Sequence, residues 1–257
     1  MANRIHKLFS EKKKDILSVF FTAGYPHLND TVSIIEGLEK EGVDLIEIGF
    51  PFSDPLADGP VIQQSSKVAL ENGMTLNLLF EQLKDIRSKV KIPLLLMGYL
   101  NPVMQFGVEN FCKKASEIGI DGIILPDLPL QEYLDHYQRL FERYNLSNIF
   151  LVTPQTVEQR IRMIDKNSNG FIYLVSSAST TGTQNGVSAE KEKFFQRINK
   201  LKLRNPVVTG FGISDRASFA SASKYCNGAI IGSAFIKALE QGNDIQKNIH
   251  QFISNVR

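Results

Sequence analysis

The strongest constraint on how this chain folds is a repeated alternation. Eight short apolar runs, at 16–22, 44–49, 92–99, 122–127, 148–154, 171–176, 206–210 and 228–232, are separated by longer segments of helical periodicity. The runs are rich in Ile, Val and Leu and mostly apolar at both odd and even positions, as strands are when both faces of a parallel sheet are covered. In the segment 130–145, Leu130, Tyr133, Leu134, Tyr137, Leu140, Phe141 and Tyr144 fall on one stripe of a 3.6-residue helix. Further helices are predicted at 31–41, 108–118, 157–167, 188–202 and 215–224, with Ser188 and Ser214 as N-caps of the last two. The long stretch between the second and third runs predicts an additional pair, 61–71 and 75–89, and an extra helix at 5–12 precedes the first strand.

Eight strand–helix units are the count of an α/β protein built as one (β/α)8 TIM barrel, and 257 residues suit a single domain over 1–257. A doubly wound sheet has a similar alternation. Its dinucleotide-binding form carries G-x-G-x-x-G after the first strand, where this chain has Thr22-Ala23-Gly24-Tyr25-Pro26. In a barrel, chemistry belongs on the strand C-termini and the loops that follow them. The 29 Lys and Arg against 27 Asp and Glu exclude a broad polyanion-binding surface. The N-terminus has no apolar signal segment, and no run approaches the ~20 apolar residues of a membrane span. Two cysteines, Cys112 and Cys226, are too few for a disulfide framework, so a cytoplasmic setting is expected. The four histidines are scattered, which predicts no metal site. No Lys lies in a strand, which argues against imine chemistry and for acid–base chemistry.

Glu47 is the exceptional residue of the second run, a carboxylate in Leu45-Ile46-Glu47-Ile48-Gly49. Leu45, Glu47 and Gly49 share one strand face. Turned into the barrel, Glu47 is either partnered by a core Lys or Arg or pushed to a raised pKa, and the latter suits a general acid–base. The following loop carries Asp54 and Asp58 on a backbone stiffened by Pro51, Pro55 and Pro60, and Asp58-Gly59 reads equally as a plain turn. The last two runs end in Gly210-Phe211-Gly212 and Gly232-Ser233, where glycines and a helix N-terminus present N–H groups to an oxyanion.

The stretch LIEIGFPFSDPLADGPVIQ over 45–63 resembles the signature of the tryptophan synthase alpha chain family. Phe21-Thr22-Ala23-Gly24-Tyr25-Pro26, Asn101-Pro102, Pro126-Asp127-Leu128-Pro129 and Gly232-Ser233-Ala234 extend the resemblance over nearly the whole chain. It implies a TIM-barrel lyase that cleaves indole-3-glycerol phosphate to indole and glyceraldehyde 3-phosphate. It further implies Glu47 and Asp58 as catalytic residues, and Phe20, Ile62, Tyr173, Thr181 and Phe211 around the substrate. Gly182, Gly212, Gly232 and Ser233 fall on phosphate-binding positions, and Pro51, Asp54 and Asn101 lie near a partner interface. The partner is a beta chain in an alpha2beta2 assembly. No cofactor is implied in this chain, pyridoxal phosphate being expected on the beta partner. Relatives usually carry Gly-Val-Thr-Gly where this chain has Ser179-Thr180-Thr181-Gly182, which implies altered closure of that loop. Two other readings compete: a different sugar-phosphate barrel enzyme, and a weakened alpha-like subunit that mainly activates its partner.

Overall fold

Seven of the eight apolar runs form one strand each, and the fifth forms two. A computed structural model of the chain describes residues 3–175, 189–210, 212–242 and 244–257. The strands are β1 Ile16–Thr22, β2 Leu45–Gly49, β3 Leu94–Met97, β4 Gly122–Ile124, β5 Ser147–Asn148, β6 Phe150–Val152, β7 Ile172–Val175, β8 Val207–Gly210 and β9 Gly228–Ile231. All described pairings are parallel, in the order β5-β4-β3-β2-β1-β9-β8-β7-β6. The outermost strands, β5 and β6, are separated in sequence by Ile149 alone, so the chain itself joins the two ends and the barrel closes. Ile149 N–H still donates to the Ile123 carbonyl (3.0 Å), which keeps the joint against β4. Closure leaves no exposed strand edge.

Helices cover the outside and one covers the bottom. The helix Arg4–Glu11 buries Ile5 and Phe9 beneath the strand N-termini, where the Phe9 and Phe171 rings lie 5.7 Å apart. Polar side chains fasten the same end. The Asp44 carboxylate accepts from the Leu17 N–H (2.8 Å) and the Lys12 ammonium (2.7 Å), and the Asn227 amide oxygen accepts from the Val207 N–H (2.8 Å). Buried Asp121 is the densest of these anchors. Its carboxylate accepts from Arg87 Nη2 (2.6 Å), Arg4 Nη1 (2.9 Å) and the Leu94 N–H (3.0 Å). One group thus ties the bottom helix to the start of β3.

The predicted helices differ in several places. The segment 75–89 forms the helix Leu76–Leu83 and a separate 3-10 turn, Ile86–Ser88, and the helix Ile245–Val256 was not predicted. The segment 130–145 is helical but contains a π turn, Tyr133–Tyr137, between Leu130–Glu132 and Gln138–Arg143. The wider turn re-aims the stripe so that Leu130, Tyr133 and Phe141 are buried. The second cap is Asp215, not Ser214: Asp215 and Ser218 form a reciprocal capping box before Arg216–Ser223. A helix at Leu100–Phe106, unforeseen because it begins within a residue of the third run, carries Asn101. Ser188 lies outside the described residues. Cys112 and Cys226 are buried free thiols, and no helix among the described residues is long and apolar enough to cross a membrane.

Replacing Asp121 with Ala should destabilise the fold by about 3 kcal/mol, because it strands the partly buried Arg87 guanidinium without its partner. Urea denaturation measures this, and a change below about 1 kcal/mol would show that the anchor is dispensable.

Candidate active site

Glu47 points into the barrel. It pairs in register with Phe20 of β1 and Leu95 of β3 and has no exposed surface. Ser18, two residues before Phe20 on the same face, donates its hydroxyl to Glu47 Oε1 at 2.9 Å. Oε2 has no hydrogen-bond partner among the described residues. No described Lys or Arg pairs with Glu47, so the core ion-pair reading is not what these residues form. Burial raises the carboxyl from its ordinary 4.5 to about 8, against the smaller lowering by Ser18. At neutral pH the group holds its proton.

Tyr173 of β7 is also buried inside the barrel. Its ring lies over Gly210, where a side chain would overlap it. Burial first, and then the negative charges of Glu47 and Asp58, hold its hydroxyl well above the usual phenol range. Tyr173 thereby keeps its phenol proton, within the electrostatic reach of both carboxyl groups.

Asp58 sits at the end of the loop after β2, just ahead of the helix Pro60–Glu71, whose first residue is a proline with no N–H to leave unsatisfied. The side chain is half-buried. Burial lifts its pKa from 3.8 to about 6, while a hydrogen bond from Tyr99 lowers it. The Tyr99 hydroxyl donates to Asp58 Oδ2 (3.0 Å) and accepts from the Ala57 N–H (2.9 Å), so one phenol holds both loop backbone and carboxylate. The Phe52 ring lies 5.3 Å from the Tyr99 ring. Asp58 is therefore held by a side chain from outside its own loop. Sequence reasoning missed both Ser18 and Tyr99. The available signals were a hydroxyl inside an apolar strand and an aromatic closing the third run.

Beside Asp58 and Tyr99 lies a cavity of about 20 Å³ that Phe20, Gly49, Phe52 and Ile62 also line, with six others. It admits a water-sized body. Phe20 packs on Gly49, at a distance that a side chain there would abolish, and it also flanks Gly232 together with Ile62. Gly232 and Ser233 stand at the N-terminus of the helix Ser233–Leu239. Gly212 has φ +73°, a left-handed conformation that glycine adopts freely. The structure thus brings Phe20, Glu47, Asp58, Ile62 and Tyr173 towards one barrel mouth, with Gly212, Gly232 and Ser233 at the ends of β8 and β9. Thr181, Gly182 and Phe211 lie outside the described residues, as do Ser179 and Thr180. No group of three or more metal-ligating side chains occurs among the described residues.

Pro51 is half-buried, whereas Asp54 and Asn101 are exposed. Two large apolar side chains stand beside them in sequence, Leu56 at 91% exposure and Met104 at 57%. These were not anticipated.

Folding gives Glu47 a proton that the unfolded chain releases near pH 4.5. Its contribution to stability is therefore full below pH 4.5, declines as pH rises and is gone above about 8. Glu47→Gln removes that dependence, so the variant should gain on the parent between pH 5 and pH 8 in urea denaturation. Parallel stability curves would contradict the raised carboxyl.

The sequence matches the family described as "Tryptophan synthase alpha chain" over residues 6–257. It is 60% identical to the tryptophan synthase alpha chain of Flavobacterium johnsoniae, over 99% of this chain and 100% of that one. To the alpha chain of Bacteroides thetaiotaomicron it is 55% identical, over 96% of each. Among solved structures, the alpha chain of Legionella pneumophila superposes with a TM-score of 0.88 at 32% identity, covering 100% of this chain and 96% of that one. The tryptophan synthase complex of Pyrococcus furiosus gives 0.86 at 32% identity, over 95% and 98%. With the barrel and the full-length similarity in agreement, this chain belongs to the tryptophan synthase alpha chain family.

Proposed function

We propose that the chain cleaves indole-3-glycerol phosphate to indole and glyceraldehyde 3-phosphate, the lyase reaction of its family, with Glu47 and Asp58 carrying the proton chemistry. One observation supports this above others: a wholly buried carboxyl that keeps its proton at neutral pH, facing a mouth that holds a second, more acidic carboxylate. Glu47 gives its proton to the ring carbon bearing the glycerol chain. The carbon–carbon bond then breaks and its electron pair returns to the indole ring. The adjacent hydroxyl becomes the aldehyde and gives up its proton to the Glu47 carboxylate, which restores the acid. Protonating the ring carbon leaves positive charge at the indole nitrogen. An ionised Asp58 beside that N–H stabilises the charge in a poorly screened site.

Phe20 and Ile62 supply apolar walls for the ring, and Tyr173 supplies a neutral hydroxyl to the same pocket. Thr181 and Phe211 complete the pocket in this reading. Gly182, Gly212, Gly232 and Ser233 offer N–H groups to the phosphate, whose remote binding positions the reacting end. Pro51, Asp54 and Asn101, with exposed Leu56 and Met104, form the surface for a beta chain in a cytoplasmic alpha2beta2 assembly. The alpha chain itself carries no cofactor in this scheme, and pyridoxal phosphate belongs to the partner.

Catalysis needs Asp58 ionised and Glu47 protonated. Indole release should therefore rise with pH through about 6 and fall through about 8 in kcat/KM. Glu47→Gln should stay folded and lose nearly all cleavage. A folded variant retaining more than a few per cent of activity would remove Glu47 from the acid–base role. Tyr99→Phe, which frees the loop and removes the hydrogen bond lowering Asp58, should reduce kcat/KM roughly tenfold and move the acidic limb upward. An unmoved limb would leave Tyr99 a purely structural residue.

A further inference from the structure

Lys191 lies in the first turn of the helix Ala189–Lys200, after the segment that follows β7. Its ammonium reaches the barrel mouth: Nζ lies 3.3 Å from the point where a side chain on Gly212 would begin. Gly212 stands just beyond β8 with φ +73°. The helix gains nothing from a cation there, because its N-terminal end already carries partial positive charge. The neighbouring Glu192 does not turn towards Gly212. Its Oε1 accepts from the Tyr225 hydroxyl at 2.9 Å, and the Tyr225 ring is stacked on Phe195 with centroids 5.5 Å apart.

We propose that Lys191 is a side-chain component of the phosphate end of the site, placing a positive charge against the phosphate dianion that Gly212, Gly232 and Ser233 hold through N–H groups. The inference rests on the lyase reading above and adds to it a specificity-determining residue for the phosphorylated substrate. Backbone N–H groups and a helix terminus supply only partial charge. A phosphate monoester carries close to two negative charges at neutral pH. An ammonium within reach of the same oxygens makes a charge-assisted hydrogen bond and strengthens the preference for a dianion over a neutral alcohol. Met keeps the half-buried stem of Lys191 and removes only its charge, whereas Arg keeps the charge.

The test compares the parent, Lys191→Met and Lys191→Arg on indole-3-glycerol phosphate and on its dephosphorylated analogue, indole-3-glycerol. Direct titration of each protein with inorganic phosphate accompanies the kinetics. Lys191→Met should raise KM for the phosphorylated substrate and weaken phosphate binding by about tenfold, with kcat changed less than about twofold. Turnover of indole-3-glycerol should be the same in both proteins, and Lys191→Arg should recover most of the loss. Unchanged KM and unchanged phosphate binding in Lys191→Met would overturn the proposal. Equal losses on both substrates would overturn it too, because they would show a fold or loop effect rather than a phosphate contact. A folded parent that cleaves neither substrate would refute the lyase reading instead, and the phosphate titration would then decide the role of Lys191 by itself.

Discussion

A carboxyl group keeps its proton in the middle of this protein because the barrel buries it completely. Everything else in the site depends on that seal. The closed sheet leaves no edge through which water reaches Glu47, and Ile5 and Phe9 of the first helix plug the bottom. The seal is itself fastened by ionic and polar anchors, with Asp121 joining Arg4 and Arg87 to the start of β3 and Asp44 joining Lys12 to the start of β1. These groups sit at the end of the barrel remote from the chemistry. Bottom residues maintain the dielectric and top residues use it.

The same physics separates the two carboxyl groups. Glu47 is wholly enclosed and receives one hydroxyl donor, so desolvation dominates and the proton stays to about 8. Asp58 stands on a partly exposed loop with Tyr99 donating to it, so it ionises near 6. Between these values one group is an acid and the other an anion. That division of labour comes from position alone, since the two side chains differ by a single methylene. Tyr99 also steadies the loop that carries the chemistry, because its hydroxyl holds Ala57 and Asp58 together.

Much of the architecture is legible in the sequence. Runs apolar on both faces can be satisfied only by a covered parallel sheet, and their number matched the barrel. The break at Ile149 was not legible, because it arises where one run must pair with β4 on one side and β7 on the other. Nor was the π turn at Tyr133–Tyr137, whose register depends on what the stripe packs against. Glu47 announced itself as a charge among aliphatic residues. Asp58 did not, because Asp-Gly in a Pro-rich loop reads as a turn and only the long family-like stretch assigned it a role. Ser18, Tyr99 and Lys191 went unnoticed, each lying far in sequence from the group it approaches.

The sequence by itself determined the alternation of strand and helix, the family to which the chain belongs and the presence of an anomalous carboxylate. Those properties are local: periodicity, turn chemistry and residue identity are written along the chain. The tertiary structure alone decided that Glu47 has a single described donor and no described cation, that Tyr99 grips the Asp58 loop and that an ammonium from a neighbouring helix rests against Gly212. Desolvation and Coulombic contact depend on distances between residues remote in sequence, and closing the barrel is what sets those distances.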